Sequence, residues 1–348
     1  MALQTSGAIS LNDIHVEAGG TSGTTASMND TDIRGLQAAA GRTINSTLGS
    51  ETDFADYYGA ASEVDLPTSG STINGQAQLK QITASTYISS GGTLNVPSNL
   101  WVWSDSRTTA AMIVDIPCTI NNSGKIIGKG GRGAYRLPTS GGNFNAETGG
   151  PAISVTSTGV TIVNNSGAYI AGGGGGGGAR YDGGDPTDSN AGGGGGAGGG
   201  QGGNARNDGF LGGSGGSLNS TGADATRASD GVVFKGAGGG AGGAGGSFGY
   251  GGGGGGRILP GTGGKNGGYH ATGSVLSGGF ELCEGGSAGN VGHGPNPVGY
   301  SYSDLAAGGG GWGASGGNGS VLNGASGGAA ITGTSRTLSN SGTIYGST

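Results

Sequence analysis

Short apolar segments separated by Gly, Ser, Pro and Asn follow one another between residues 63 and 120. Four of them read ITASTYI, TLNVP, LWVW and AAMIVDI, and they are rich in β-branched, aromatic or other apolar side chains. Segments of this composition between turn residues are typical of short β-strands. The pattern therefore predicts a β-rich region.

The first 62 residues alternate short apolar segments with turn residues. Asn and Asp residues offer helix N-caps there, and residues 32–39 are predicted to form a short helix that ends at Gly41. The stretch FADYY places three aromatic residues at positions 54–58. These features predict a compact module rather than a flexible tail.

One pattern recurs in three places along the chain. The copies are TINNSGKIIG at 119–128, TIVNNSGAYIAG at 161–172 and TLSNSGTIYG at 337–346. An apolar strand, an Asn-Ser-Gly turn, a second strand and a glycine suit either a hairpin or one coil of a β-solenoid. If the copies stack as neighbours, the long segment between the second and third copies projects from one β base.

That intervening segment is glycine-rich, with 66 glycines among the 157 residues from 172 to 328 and only 12 in the first hundred residues. One interpretation is a flexible linker, because Gly-rich chains usually behave as coils and ordering glycine costs much backbone entropy. Two features favour an ordered structure. The runs recur in length, beginning with seven glycines at 172–178, and the segments between them carry apolar residues such as Phe234 and Phe280.

An ordered glycine run can form a three-residue, left-handed helix without internal hydrogen bonds, so its amides and carbonyls must bond to neighbouring chains. Without Cβ atoms, such helices can pack backbone to backbone. We expect Ala, Ser and Asn within the runs to mark outer helices, and Trp312 to lie on an outer face or at an edge. The predicted fold is thus mainly β plus irregular structure, in four parts: a module at 1–62, a solenoid- or sandwich-like β base at 63–171, a glycine helix bundle with long loops at 172–328, and a C-terminal β return to the base at 329–348.

Composition and charge exclude several classes of function. The 15 basic and 21 acidic residues give a net charge of −6 without a basic run, which argues against nucleic acid as a partner. Two distant cysteines and three histidines provide no metal-ligand spacing. We expect no catalytic residue, no metal site and no cofactor, and therefore not an enzyme. The N-terminus lacks the pattern of a signal peptide, and no apolar run is long enough to span a membrane.

Two stretches resemble proteins of tailed bacteriophages. The opening MALQTSGAISLNDIHVEAGGTSGTTASMNDTDIRGL, together with TINSTLGSETDFADYYGA, resembles the N-terminal segment of tail and tail-fibre proteins. The glycine block resembles the receptor-binding domain of the adhesins that cap long tail fibres of T-even-like phages, in which polyglycine II helices form a sandwich and variable loops contact the receptor. The resemblance implies an N-terminal attachment module that binds other phage tail or fibre proteins. It also implies a virion location at the tail tip or fibre, after synthesis in the host cytoplasm.

The resemblance further implies that loops of the glycine block contact a host outer-membrane protein or surface glycan. The longer connections are residues 179–191, 204–211, 257–270 and 295–305. Aromatic anchors and polar partners in them are the receptor-binding candidates: Arg180, Tyr181, Asp182, Arg206, Phe210, Arg257, Tyr269, Tyr300 and Tyr302. If each run crosses the bundle once, successive connections are expected to emerge at opposite ends.

Two alternatives to an adhesin stay open at this point. A structural tail-tip or fibre component would use the glycine block only to support other proteins. A non-viral polyglycine protein, such as an ice-binding one, would need a flat, regular, Thr- or Ala-rich face, and the long aromatic loops argue against it. The oligomeric state is also open, with a homotrimer as one option.

Overall fold

The protein is mainly β, with short helices and irregular segments. The computed structural model describes residues 3–38, 42–69, 72–73, 76–88, 90–136, 143–179, 193–202, 210–211, 225–227, 233–234, 307–319, 321–333 and 335–348. The helices are α1 (Leu11–Glu17), α2 (Thr31–Arg34) and the 3-10 helices Phe54–Tyr57 and Ala84–Thr86. The strands are β1 (Glu63–Asp65), β2 (Thr72–Ile73), β3 (Gln76–Lys80), β4 (Ile82–Thr83), β5 (Thr93–Val96), β6 (Leu100–Trp103), β7 (Met112–Val114), β8 (Thr119–Asn122), β9 (Lys125–Ile127), β10 (Tyr135–Arg136), β11 (Asn143–Phe144), β12 (Ile153–Val155), β13 (Val160–Asn164), β14 (Tyr169–Ala171), β15 (Phe210–Leu211), β16 (Ala225–Arg227), β17 (Val233–Phe234), β18 (Ile331–Gly333), β19 (Arg336–Asn340) and β20 (Thr343–Tyr345).

The N-terminal residues pack around their own apolar cluster, with Ile14, Ile33 and Tyr57 fully buried. Helix α1 begins at a capping box in which Ser10 and Asp13 satisfy each other's backbone amides, which fixes its first turn. The expected helix over 32–39 is shorter than predicted. Helix α2 ends at Arg34, and Gln37 instead forms a bridge with Ala61.

Arg34 explains how this part of the chain is held together despite few secondary-structure hydrogen bonds. The residue is only 5% exposed, and its guanidinium donates to the carbonyl oxygens of Asn45 (2.6 Å), Thr47 (3.0 Å) and Ser50 (2.7 Å). One buried arginine therefore organises an irregular segment by satisfying carbonyls that no strand or helix pairs.

Residues 63–348 contain a β-solenoid built from three parallel sheets. The first sheet has the order β1-β5-β8-β13-β19, the second β3-β6-β9-β14-β20 with β2 antiparallel beside β3, and the third β4-β7-β12-β18. Successive coils place one strand in each sheet, so each sheet repeats the same strand from coil to coil. The solenoid is the β base that the sequence predicted as solenoid- or sandwich-like.

Alternating burial along the strands creates the solenoid interior. In β13 the burial alternates strictly, with Val160, Ile162 and Asn164 facing inward. Equivalent side chains stack in columns along the solenoid axis, for example Leu94, Ile120, Ile162 and Leu338 in the first sheet and Val102, Ile126 and Ile170 in the second. Removing these side chains from water is the main favourable contribution to the stability of this region.

The Asn-Ser-Gly turns of the repeat build an asparagine ladder at one corner. The side-chain amide of Asn122 donates to Asn164 Oδ1 at 2.8 Å, and that of Asn164 donates to Asn340 Oδ1 at 2.8 Å. Asn122 and Asn164 are fully buried, so each amide replaces lost water contacts with a partner in the next coil. The three copies of the repeat are therefore neighbouring coils in register, and their stacking is confirmed.

Two long excursions leave the solenoid at the same corner of consecutive coils, between the second and third sheets. Residues 128–152 connect β9 to β12, and residues 172–330 connect β14 to β18. The sequence predicted only the second excursion, because the first contains fewer glycines. Both excursions begin and end beside each other, so their glycine segments can pair.

Backbone hydrogen bonds join the glycine segments into one unit, here called the glycine array. Residues 172–178 run through its centre, and the surrounding segments are 128–134, 147–152, 193–202, 307–312, 313–319 and 322–330. The amide partners of the central run recur every three residues: Gly150 and Glu147 for residues 173 and 176, Ala197 and Gly194 for residues 174 and 177, and Ala314 and Gly317 for residues 175 and 178. The carbonyls of residues 173–178 accept from the remaining three neighbours. The central run thus bonds to six neighbouring segments.

Steric packing explains why the central run is pure glycine. A Cβ added at Gly174 would lie 2.7 Å from the Ala197 amide nitrogen, and one added at Gly176 would lie 2.9 Å from the Gly133 nitrogen. The atoms that the added Cβ would approach belong to the backbone rather than to flexible side chains, so a small adjustment cannot relieve the contact. Serine and asparagine do occur at the exposed positions Asn318, Asn323 and Ser326, as expected for outer segments.

The expectation that Trp312 lies on an outer face or an edge is wrong. Trp312 is fully buried, with its ring 5.8 Å from that of Tyr345 and 6.3 Å from that of Tyr169. It sits at the turn where the chain reverses through Gly313, whose φ is +65°. The turn leads the chain out of the packed glycine segments, and the indole lies between the array and the second sheet. Ala197, in the same cluster, is also buried rather than outward-facing.

Candidate functional site

The glycine array has two chemically different ends. At the proximal end, next to the second sheet, the chain reverses in tight turns through Gly198, Gly199 and Gly313, all with positive φ, which glycine adopts without strain. At the distal end, the segments end at Ala134, Ala179, Gly193, Ala307 and Leu322, which are joined by backbone hydrogen bonds or by bonds of their immediate neighbours. The proximal end is therefore filled by the solenoid, and the distal end is available for connections.

The described connections of the array differ in length between its two ends. The segment that begins after Ala179 returns at Gly193, and the chain that returns at Ala307 bonds to Gly178 and, through its carbonyl, to Gly194. These flanking residues all lie at the distal end. In the described part of the array, connections alternate between the two ends, and those at the proximal end are short turns. The described residues that flank longer connections, Ala179, Gly193 and Ala307, lie at the distal end.

A small apolar cluster closes the distal end. Ala134, Ala179 and Leu322 are buried against one another, with Ala146 beside them. Val321, next to Leu322, is 49% exposed. An exposed apolar side chain beside a buried apolar cluster can lose its contact with water when a protein partner binds over it.

An aromatic hairpin extends from the same end. Strands β10 and β11 pair antiparallel, and the rings of Tyr135 and Phe144 stack with centroids 4.4 Å apart and planes inclined by 2°. Arg132 covers the Tyr135 ring at 4.2 Å from its centroid, while Phe144 is 41% exposed. The stack holds Phe144 in a fixed position at the surface, which is favourable for an anchor because little side-chain entropy is left to lose.

The structure describes little of the predicted receptor-binding set. Phe210 lies in β15, where its backbone pairs with that of Arg227 in β16. Outside the described residues lie Arg180, Tyr181, Asp182, Arg206, Arg257, Tyr269, Tyr300 and Tyr302. Arg180, Tyr181 and Asp182 directly follow Ala179, and so belong to a connection that leaves from the distal end. Their roles stay predictions.

Sequence reasoning missed Tyr135 and Phe144. A signal was present in GKGGRGAYR, residues 128–136, where glycines alternate with single long side chains before an aromatic residue. In a three-residue helix, positions three apart share one face, so Lys129 and Arg132 are compatible with a glycine array. Searching for long uninterrupted glycine runs overlooked this segment.

Within the described parts of the chain, no helix is long and apolar enough to cross a membrane. The same residues contain no cluster of His, Cys, Asp and Glu that could hold a metal ion.

Comparison with known proteins gives a family match and a structural match. The sequence profile of the family described as phage tail fibre adhesin Gp38 matches residues 62–250. The crystal structure of the gp37-gp38 adhesin tip complex of the bacteriophage S16 long tail fibre matches with 22% identity and a TM-score of 0.40, over 74% of this chain and 71% of that one. No curated protein matches the chain significantly.

Proposed function

Because the chain belongs to the phage tail fibre adhesin Gp38 family and is thus a receptor-binding adhesin of the virion, we propose that it contacts its receptor at the distal end of the glycine array. The convergence of connections at that end carries the proposal. The receptor-binding surface would combine the connection after Ala179 with the exposed Phe144 and Val321. A host outer-membrane protein or a surface glycan would be the receptor.

We further infer that the array is a polyglycine II bundle. Two observations support this: the three-residue period of hydrogen-bond partners along residues 172–178, and the six neighbours around that run. A rigid scaffold of this kind holds loop ends at fixed positions. It reduces the entropy lost when a receptor is bound.

The N-terminal residues are proposed to attach the adhesin to another fibre or tail protein. In the S16 long tail fibre, gp38 forms an adhesin tip complex with gp37. Here, Leu48 and Phe54 are exposed apolar residues of the N-terminal part of the chain, at 57% and 40% exposure, and suit such a contact.

Adsorption competition tests the proposed receptor site. Purified protein is expected to block phage adsorption to host cells, whereas a variant with residues 179–191 and 295–305 replaced by Gly/Ser, or with Phe144→Ser, is expected to lose most of this activity. The matched control, Leu48→Ser with Phe54→Ser, changes exposed apolar residues at the other site and is expected to compete normally. If folded distal variants compete as well as the wild type, receptor contact lies elsewhere. If neither the wild type nor any variant binds cells, a structural role in the fibre becomes the better account.

A further inference from the structure

A polar groove lies on the side of the array, and none of its lining residues belongs to the distal apolar cluster. Its volume is about 510 Å³. Six of its lining residues have polar or charged side chains: Asp105, Arg107, Lys129, Arg132, Glu147 and Gln201. Neither the predicted loops nor the aromatic hairpin tip forms this groove, so the proposed receptor site does not account for it.

The array geometry places two cations side by side in the groove. The carbonyls of Lys129 and Arg132 accept from the amides of Gly150 (2.7 Å) and Glu147 (2.9 Å), three residues apart on one neighbouring segment. The two side chains therefore project along the same face. At the intervening Gly131, an added Cβ would lie 2.7 Å from the Glu147 carbonyl carbon, so a side chain is not tolerated there.

The two carboxylates of the groove have ion-pair partners, whereas two of its three cations do not in the described part of the chain. Asp105 pairs with Lys80 at 2.8 Å, and Glu147 pairs with Arg107 at 2.8 Å. Lys129 donates to the Gly199 carbonyl at 2.6 Å, and this bond uses one of the three N–H donors of its ammonium group. In the parts of the chain that the structure describes, neither Lys129 nor Arg132 forms an ion pair, and the buried Arg132 Nε has no acceptor.

Both cations are positioned before any ligand arrives. The Arg132 guanidinium rests on the Tyr135 ring, and Lys129 is held by its carbonyl contact. Burial lowers the pKa of Lys129, partly opposed by the nearby Asp105, because water is partly withdrawn from the ammonium group. An anion at this position would replace part of the lost solvation.

We propose that the groove binds an anionic saccharide, with its carboxylate or phosphate between Lys129 and Arg132. The carboxylates of Asp105 and Glu147 and the amide of Gln201 supply acceptors for sugar hydroxyls. The glycine backbone at residues 130 and 199 lets a ligand approach closely. A mixed lining of paired carboxylates and unpaired cations fits a ligand that combines hydroxyl groups with one negative charge. The groove would add a contact with the charged glycans of a cell surface to the contact made at the distal receptor site.

Isothermal titration calorimetry on the full-length protein tests this site with three probes: trigalacturonate, glucose 6-phosphate and neutral maltotriose. At least one acidic probe is expected to bind and maltotriose is not, and binding is expected to weaken as salt is added. The probe that binds identifies carboxylate or phosphate as the preferred anion. The variant Lys129→Gln with Arg132→Gln is expected to weaken binding by about tenfold or more, because two charge-assisted hydrogen bonds are lost.

The matched control is Lys125→Gln with Arg42→Gln, which removes the same charge outside the groove and is expected to change affinity by less than about twofold. Gln201→Glu alters an exposed side chain with little risk to folding, and is expected to weaken binding by adding a negative charge to the groove. The proposal is overturned if the wild type binds neither acidic probe, if maltotriose binds equally well, or if the control loses as much affinity as the groove variant. Adsorption competition by the Gln201→Glu variant separates this site from the distal one, because Gln201 lies in the groove and outside the aromatic hairpin that carries Phe144.

Discussion

Replacing Gly175 by alanine is the most direct test of the glycine array. Gly175 lies in the central run, where its amide donates to the Ala314 carbonyl at 2.9 Å and its carbonyl accepts from the Gly310 amide at 2.8 Å. An added Cβ would lie 2.6 Å from the Ala325 carbonyl carbon and 2.7 Å from the Ser326 carbonyl oxygen. Ordinary Cα–H···O contacts have carbon–oxygen distances of about 3.3–3.6 Å, so a neighbouring backbone segment must move by more than about 0.5 Å.

The expected cost follows from three contributions. Overpacking of a close-packed interior costs about 1–3 kcal/mol. Weakening the two hydrogen bonds of Gly175 adds about 1 kcal/mol each. Alanine reduces the entropy of the unfolded chain, which returns about 0.4–1 kcal/mol. We therefore expect Gly175→Ala to lower the free energy of unfolding of the array by about 2–4 kcal/mol.

Urea unfolding followed by tryptophan fluorescence measures this cost, because the fully buried Trp312 reports on the contact between array and solenoid. Two controls separate steric effects from the chemical change itself. Gly35→Ala makes the same substitution at a helix end with φ −84°, and Ser326→Ala changes an exposed residue of an outer segment. Both are expected to shift stability by less than about 1 kcal/mol. A Gly175→Ala variant as stable as the controls would refute backbone-to-backbone packing as the reason for the glycine run.

Three further predictions concern the solenoid and its junction with the array. Asn164→Leu is expected to lower the free energy of unfolding by about 1–3 kcal/mol in a urea titration, because the buried side-chain amide of Asn122 loses its acceptor and Asn340 loses its donor; an unchanged midpoint would contradict the ladder. Trp312→Ala is expected to cost about 3–5 kcal/mol in the same assay, whereas a cost below about 1 kcal/mol would mean that the indole is not packed. Burial raises the pKa of Cys118 from 9.0 to about 11, so iodoacetamide at pH 8 is expected to label this residue only on unfolding, as measured by peptide mass spectrometry; rapid labelling of the folded protein would disprove its burial. Since the folded state favours the neutral thiol, the stabilisation from Cys118 is present below about pH 9 and is lost as the pH rises through 11.

The sequence was sufficient to predict the β base because the repeat carries its own register. The Asn-Ser-Gly turn marks the same corner in each copy, and the apolar residues on either side alternate with the period of a strand. Asn122 and Asn164 are buried polar residues, yet their pattern was still readable, since each copy places an asparagine at the equivalent position. The choice between hairpin and solenoid coil required the three-dimensional pairing.

Other features were not predictable because they depend on contacts between distant segments. The excursion at 128–152 joins the array through backbone groups, so the alternation of its glycines with Lys129 and Arg132 does not by itself show which segments it pairs with. Trp312 is buried because a turn at Gly313 coincides with the edge of the second sheet, and a glycine run by itself does not reveal where the chain reverses. The short helix α2 ends early because Gln37 pairs with Ala61, a tertiary contact that overrides local propensity.

The attachment of both excursions to adjacent coils explains how a fixed scaffold can carry long connections. Cohesion within the array comes from backbone hydrogen bonds, and the residues that cross it contribute almost no side chains to its interior. A change in a connection beyond Ala179 or before Ala307 therefore removes no packing contact from the centre of the array. The solenoid fixes the other end through Trp312 and the second sheet. Sequence changes can then concentrate where the proposed receptor contact lies, while the positions of the loop ends stay constant.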